Sequence, residues 1–237
     1  MKIYKFADIP VGVYTRGEYF DQCCVDYLAE SEQAKFNIGV NDEDLAYEQS
    51  RTEEEVQFSK SYLEFIALYR QFCEKVIDYG VVLCHGSVVK LNGKAYMFSA
   101  PSGTGKSTHA RMWRQLFGEK VTMINDDKPL LKFENDGIYA YGTPWDGKHR
   151  LSTNTRAKLA GICFLHQAEK NSIRRIDASE SIDLIMNQIY RPRNTDGLMK
   201  TLDYVEKLIE KIPMYVMGCT ISEEAAEMAY NVMNKEK

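Results

Sequence analysis

Around SKSYLEFIALYRQFCEKVIDYG the apolar positions Phe58, Tyr62, Phe65/Ile66, Tyr69, Phe72/Cys73 and Val76 recur at helical spacing. That period predicts a helix whose aromatic stripe faces a core. Ahead of it, the short apolar runs KIYKF and FNIGV sit among polar, turn-like residues and predict a few strands before about Val40. The intervening acidic run NDEDLAYEQSRTEEE is expected to be a solvated face.

From Val81 the texture becomes β. VVLCHGSVVKL and KAYMFSA flank Asn92-Gly93, a pair that tolerates positive φ at both positions and so marks a tight hairpin. THARMWRQLF has helical composition, VTMIND reads as a strand, and PLLKF-ENDG-IYAYGT as a second hairpin. GICFLHQ is a further strand before SIRRI. SESIDLIMNQIY, TDGLMKTLDYVEKLIEKI, MYVMGCT and SEEAAEMAYNVM close the chain as helices and strands. Hairpins beside a strand-loop-helix unit predict a mixed sheet with flanking helices, an α/β fold. Residues 1–79 are expected to form strands and a long helix packed on a core spanning 80–237, with no linker dividing them.

Charge narrows the partners. With 30 Lys+Arg against 34 Asp+Glu the net charge is −4, and no local basic patch stands out, so neither nucleic acid nor a membrane surface is an expected partner. The N-terminus has no apolar leader-like core and no stretch approaches a membrane span. The six cysteines have no C-x-x-C pair, which reads as reduced thiols and a cytoplasmic setting, and with His109 and His166 they lack zinc-ligand spacing.

The unusual chemistry lies in APSGTGKS, residues 100–107. It fits the P-loop pattern, with Ala100 where glycine is commoner. Gly103 and Gly105 allow a backbone that turns successive N–H groups, including those of Ser102, Thr104 and Thr108, around an oxyanion. Lys106 supplies a mobile charge for the β- and γ-phosphates, Ser107 a hydroxyl for Mg²⁺, and the following helix its positive end. The strand before and the helix after are the context such a loop requires. A nucleotide is therefore the expected ligand.

Asn125-Asp126-Asp127 closes the next strand, Asp126 lying 20 residues after Lys106. Adjacent acids at a strand end point in different directions, so one can serve Mg²⁺ and the other accept a hydroxyl proton. D-x-x-G and N-K-x-D are absent, which disfavours a GTPase switch. In YGTPWDGKHRLSTNT, Lys148 or Arg150 is expected to neutralise charge in a transition state and Trp145 to stack or close a pocket. Arg191 and Arg193 are a second cationic candidate.

CHGSVVKLNGKAYMFSAPSGTGKST followed by INDD resembles the kinase core of HPr kinase/phosphorylase, similar in fold to the nucleotide-binding part of phosphoenolpyruvate carboxykinase. The resemblance covers about residues 80–160. It implies ATP- and Mg²⁺-dependent phosphoryl transfer to a hydroxyl on a peptide, protein or small molecule. Lys106 and the loop amides would hold the phosphates, Ser107 and Asp127 the metal, and Asp126 would be the base. His85, fifteen positions before Ala100, would tune that carboxylate or touch the transferred phosphoryl. Which aspartate takes which role is left open. The family's N-terminal domain and its downstream HPr-recognition stretch are not found, so HPr is not the expected acceptor. Hexamers in the family make a homo-oligomer a possibility here. The competing class is a nucleotide-binding module that organises a partner without transfer, and a carboxykinase-like reaction is third.

Overall fold

Two units meet at Gly80: Met1–Tyr79 and Gly80–Lys237. The computed structural model describes residues 1–29, 32–51 and 56–235, so the TEEE end of the acidic run falls outside the described residues.

In the first unit, β1 (Lys2–Phe6) and β2 (Ile9–Tyr14) form an antiparallel hairpin, and β3 (Phe36–Gly39) adds parallel to β2. A short α1 (Tyr19–Cys23) precedes β3, and α2 (Asp42–Ser50) and α3 (Lys60–Val76) follow it. Asn41 and Asp44 cap α2 reciprocally, each side chain accepting the other's backbone N–H. Along α3, Leu63, Phe65, Leu68, Phe72 and Val76 are buried, and Phe72 meets Phe6 edge-on at 5.3 Å. The helical period is as expected, and Phe65, Phe72, Cys73 and Val76 of the expected stripe are buried; its first two members are not. Phe58 and Tyr62, expected on the core stripe, are each 37% exposed and pack on one another at 4.9 Å. The acidic run is likewise not wholly solvated. Glu48 is 4% exposed and takes a two-pronged ion pair from Arg70, at 2.5 and 2.7 Å, which is what a buried carboxylate needs to stay charged.

The second unit is built on a nine-stranded mixed sheet. Its strands are β4 (Val81–Leu83), β5 (Ser87–Leu91), β6 (Lys94–Ser99), β7 (Val121–Asn125), β8 (Leu130–Glu134), β9 (Gly137–Tyr141), β10 (Arg156–Gln167), β11 (Ser172–Arg175) and β12 (Met214–Cys219). The path runs β4-β8-β9-β10-β6-β5-β7, with β12 on β10 and β11 on β12. Only β6-β10 and β10-β12 are parallel in this sheet. The long β10 pairs with β9 at its start and with β12 at its end, which accounts for its length beyond GICFLHQ. VVLCHGSVVKL is not one strand: β4 pairs with β8, whereas β5 pairs with β6 and β7. At the break, a Cβ on Gly86 would lie 2.8 Å from the Phe98 carbonyl, so only glycine passes there. The β5–β6 turn is the expected one, with Asn92 at φ 52° and Gly93 at φ 78°.

Four helices flank the sheet: α4 (Lys106–Phe117), α5 (Ala178–Met186), α6 (Thr195–Lys211) and α7 (Glu223–Met233). Trp113 of α4 is fully buried among Tyr96, Phe98 and the small face Ala225, Ala226 and Ala229 of α7. Ring area of that size removed from water contributes about 2–3 kcal/mol and fixes α4 against the sheet. Among the described residues no helix is long and apolar enough to cross a membrane.

Candidate functional site

Between β6 and α4 the chain turns through residues 100–105. Gly103 and Gly105 hold φ of +81° and +117°, and a Cβ on either would meet nothing within 4 Å. Glycine is required there by the backbone path, not by space. Ser102, Gly103 and Ser107 are exposed, and Thr104, Gly105 and Thr108 are partly so. α2, α3, α5, α6 and α7 begin at Asn41, Ser59, Asp177, Asn194 and Ser222, whose side chains accept first-turn N–H groups. α4 begins at Gly105, which has no side chain to do so. The mouth of this helix presents backbone donors to solvent.

Lys106, the first residue of α4, is buried. Its Nζ donates to the carbonyls of Ala100 (2.9 Å) and Pro101 (3.2 Å). Burial pulls the ammonium below its ordinary range, while the charges of Asp127 and Asp126 oppose that pull. The glycine loop and the two acids thus share one electrostatic neighbourhood.

The acids follow β7. Asn125, fully buried at its end, organises them. Its Oδ1 accepts from the N–H groups of Asp127 (2.8 Å) and Lys128 (2.6 Å), while its Nδ2 donates to Thr143 Oγ1 (2.9 Å), the Thr143 carbonyl (3.2 Å) and Ser152 Oγ (3.0 Å). Asp126 is buried, and Ser87 Oγ donates to its Oδ1 at 2.6 Å. Asp127 lies between two basic groups, with His85 Nε2 3.3 Å from Oδ1 and Lys128 Nζ 2.6 Å from Oδ2. Burial pushes the Asp127 carboxyl up, but hydrogen bonds and charge from His85 and Lys128 outweigh it and hold it at about 2.

Of the two acids it is Asp127 that His85 meets. Its Nδ1 lies 3.2 Å from Gln188 Oε1, and its backbone N–H donates to the Gln188 carbonyl at 2.7 Å. Trp145 is 3% exposed, an anchor inside the unit rather than a ring free to close a pocket. Lys148, His149 and Arg150 are exposed, as are Arg191 and Arg193. His109 accepts from Trp113 Nε1 at 3.1 Å, and burial lowers it to about 4, a core imidazole.

Ser87, Asn125, Lys128, Gly147 and Gln188 were not singled out from the sequence. Ser87 and Lys128 had the available signal of adjacency to His85 and the acid pair. Gln188, 103 positions from His85, had none.

Among the described residues no three His, Cys, Asp or Glu side chains converge as a metal cage. Two carboxylates and the Ser107 hydroxyl are hard oxygen donors, a set that suits Mg²⁺ shared with phosphates, since that ion takes one or two carboxylates and keeps the rest for substrate and water.

No family model matches the chain, and no curated protein does. Among solved structures, the chain is similar to the Hpr(Ser) kinase/phosphatase from Coxiella burnetii, at 10% identity and a TM-score of 0.39, covering 64% of this chain and 88% of that one.

Proposed function

We propose that this chain is a P-loop kinase that transfers the γ-phosphoryl group of ATP to a hydroxyl with Mg²⁺. The observation that carries the reading is the buried Lys106 ammonium, held by loop carbonyls at an uncapped helix mouth. Ser102 to Thr108 offer backbone donors to the phosphates, and Lys106 exchanges its two carbonyl contacts for phosphate oxygens. Ser107 and Asp127 would hold Mg²⁺, which would supply positive charge against what develops on the phosphate oxygens. A carboxylate held at about 2 is a poor base and a dependable anion, which suits Asp127 to the metal. The metal would take the place on Oδ2 that Lys128 Nζ occupies at 2.6 Å.

Asp126 is the base. As the acceptor oxygen bonds to the γ-phosphorus, the bridging P–O bond breaks, ADP leaves with that electron pair, and the hydroxyl proton passes to Asp126. Ser87 holds Oδ1 and leaves Oδ2 for that proton. His85 positions Asp127 and, through Gln188, ties it to the segment after α5.

The test is transfer of label from γ-³²P-ATP to a panel of hydroxyl acceptors. Asp126→Asn is expected to lower transfer at least about a hundredfold and to keep ATP affinity. Full transfer by that variant would remove the base, and nucleotide binding without transfer in the wild type would favour a binding module instead.

A further inference from the structure

We infer that the loop between β9 and β10 forms the acceptor side of the site and selects a hydroxyl compound that carries a carboxylate or phosphate close to the hydroxyl. This rests on the kinase reading above and names the substrate class it leaves open.

The base of this loop is fastened to the acid turn. Thr143 is fully buried; its hydroxyl has the Lys128 carbonyl (2.9 Å) and the Trp145 carbonyl (3.2 Å) within reach of its one proton and accepts from Asn125. Thr153 N–H donates to the Ile124 carbonyl at 3.3 Å, and a Cβ on Gly142 would fall 2.7 Å from that same carbonyl. The two ends of the loop are thus pinned to the strand that carries the acids. Its tip comes down on Asp126: a Cβ on Gly147 would lie 3.1 Å from the Asp126 carbonyl and 3.5 Å from its Oδ2. The residue over the proposed base is the one without a side chain.

Directly after it come Lys148, His149 and Arg150, all exposed. The Arg150 N–H donates to the Gly147 carbonyl at 3.1 Å, and Arg150 sits at φ 46°, a left-handed conformation that a branched or bulky residue adopts only under constraint. The counter-charge on this loop is Asp146, half-buried and engaged by the Ser152 N–H at 3.1 Å, with Arg150 acting on it. Three Cα steps separate Arg150 from Gly147, at most about 11 Å, a span longer than the screening length of roughly 8 Å at physiological salt, so the attraction is strongest at low salt. A hydroxyl that reaches Asp126 Oδ2 brings its neighbouring groups within the field of Lys148 and Arg150. An anion there is attracted and a cation repelled, which discriminates acceptors more than it adds raw affinity.

The experiment measures kcat/KM for phosphoryl transfer from Mg-ATP in two arms. One arm compares serine peptides flanked by glutamate, alanine or lysine; the other compares glycerate with glycerol. Within at least one arm the anionic acceptor is expected to exceed its neutral counterpart about tenfold or more, with the advantage shrinking as salt rises. Preference confined to the first arm assigns the charge to a peptide, and to the second a small hydroxy acid. The variant Lys148→Gln with Arg150→Gln, checked for an unchanged urea midpoint, is expected to bring the ratio within about twofold. Equal use of neutral or basic acceptors, or a ratio untouched by that variant, overturns the inference and leaves the kinase standing. Absence of transfer to every acceptor overturns both.

Discussion

The glycine loop and the acid turn face one task from opposite constructions. The loop is backbone: two glycines in conformations other residues resist, exposed amides, and one lysine folded back on carbonyls. The acid turn is side chain: a fully buried asparagine with five hydrogen bonds, and two carboxylates each held by a partner from another strand or loop. On the proposed reading the loop stays open until a ligand arrives, whereas the acid turn is organised beforehand.

Removing the loop's one charge has the largest expected effect. Lys106→Ala is expected to weaken ATP binding by about 3 kcal/mol, more than a hundredfold, and to lower stability without nucleotide by only about 1 kcal/mol, from the donor lost to the Ala100 and Pro101 carbonyls. Calorimetric titration beside denaturant unfolding separates the two.

Acid is expected to divide the regions next. His109, buried behind the loop, is lowered to about 4, while the unfolded chain binds its proton near 6.5. The unfolded state therefore gains a proton first, so the His109 contribution is complete above about 6.5 and is lost as pH falls towards 4, up to roughly 3 kcal/mol. Asp127 behaves differently. Its contribution is present above its ordinary carboxylate range and is lost only as pH falls through about 2. Urea midpoints between pH 7 and 4 are expected to fall in the wild type and far less in His109→Phe. Equal slopes would erase the distinction.

Asn125→Ala is expected to cost about 2 kcal/mol of stability, because the N–H groups of Asp127 and Lys128 and the Thr143 hydroxyl lose a buried partner. Gly103→Ala is the mildest change, about 1 kcal/mol, arising from the left-handed backbone alone since the added methyl meets open space. A larger loss at Gly103 than at Asn125 would reverse the comparison.

The same contrast explains what could be read in advance. Where residue type dictates backbone, the chain announces itself: the glycine loop, the Asn92-Gly93 hairpin and the mixed character of the sheet follow from local pattern, whereas the order of its strands does not. The Ala7-Asp8 turn makes the same left-handed bend, at φ 49° and 61°, with an alanine that gives no such signal, because the β1–β2 pairing imposes it. The α3 period and its buried Phe65, Phe72 and Val76 were legible, but the surface place of Phe58 and Tyr62 was not, since that aromatic pair can cover one another at the surface as well as fill a core. The acid pair stood out in the sequence at the end of β7, whereas its partners did not. Which carboxylate meets His85 is decided by β5 placing Ser87 under Asp126, and Gln188 arrives only because the segment after α5 pairs back onto Cys84. Trp145 sits at a loop centre with functional-looking neighbours, yet its ring area favours burial over exposure.

Titration of the purified chain with ATP in a calorimeter, with and without magnesium, bears most directly on the grip of loop amides and Lys106 on a polyphosphate opposite two acids. Saturable binding that strengthens when magnesium is added and collapses in Lys106→Ala is the expected result. No heat at any nucleotide concentration, or binding indifferent to both magnesium and Lys106, would contradict it.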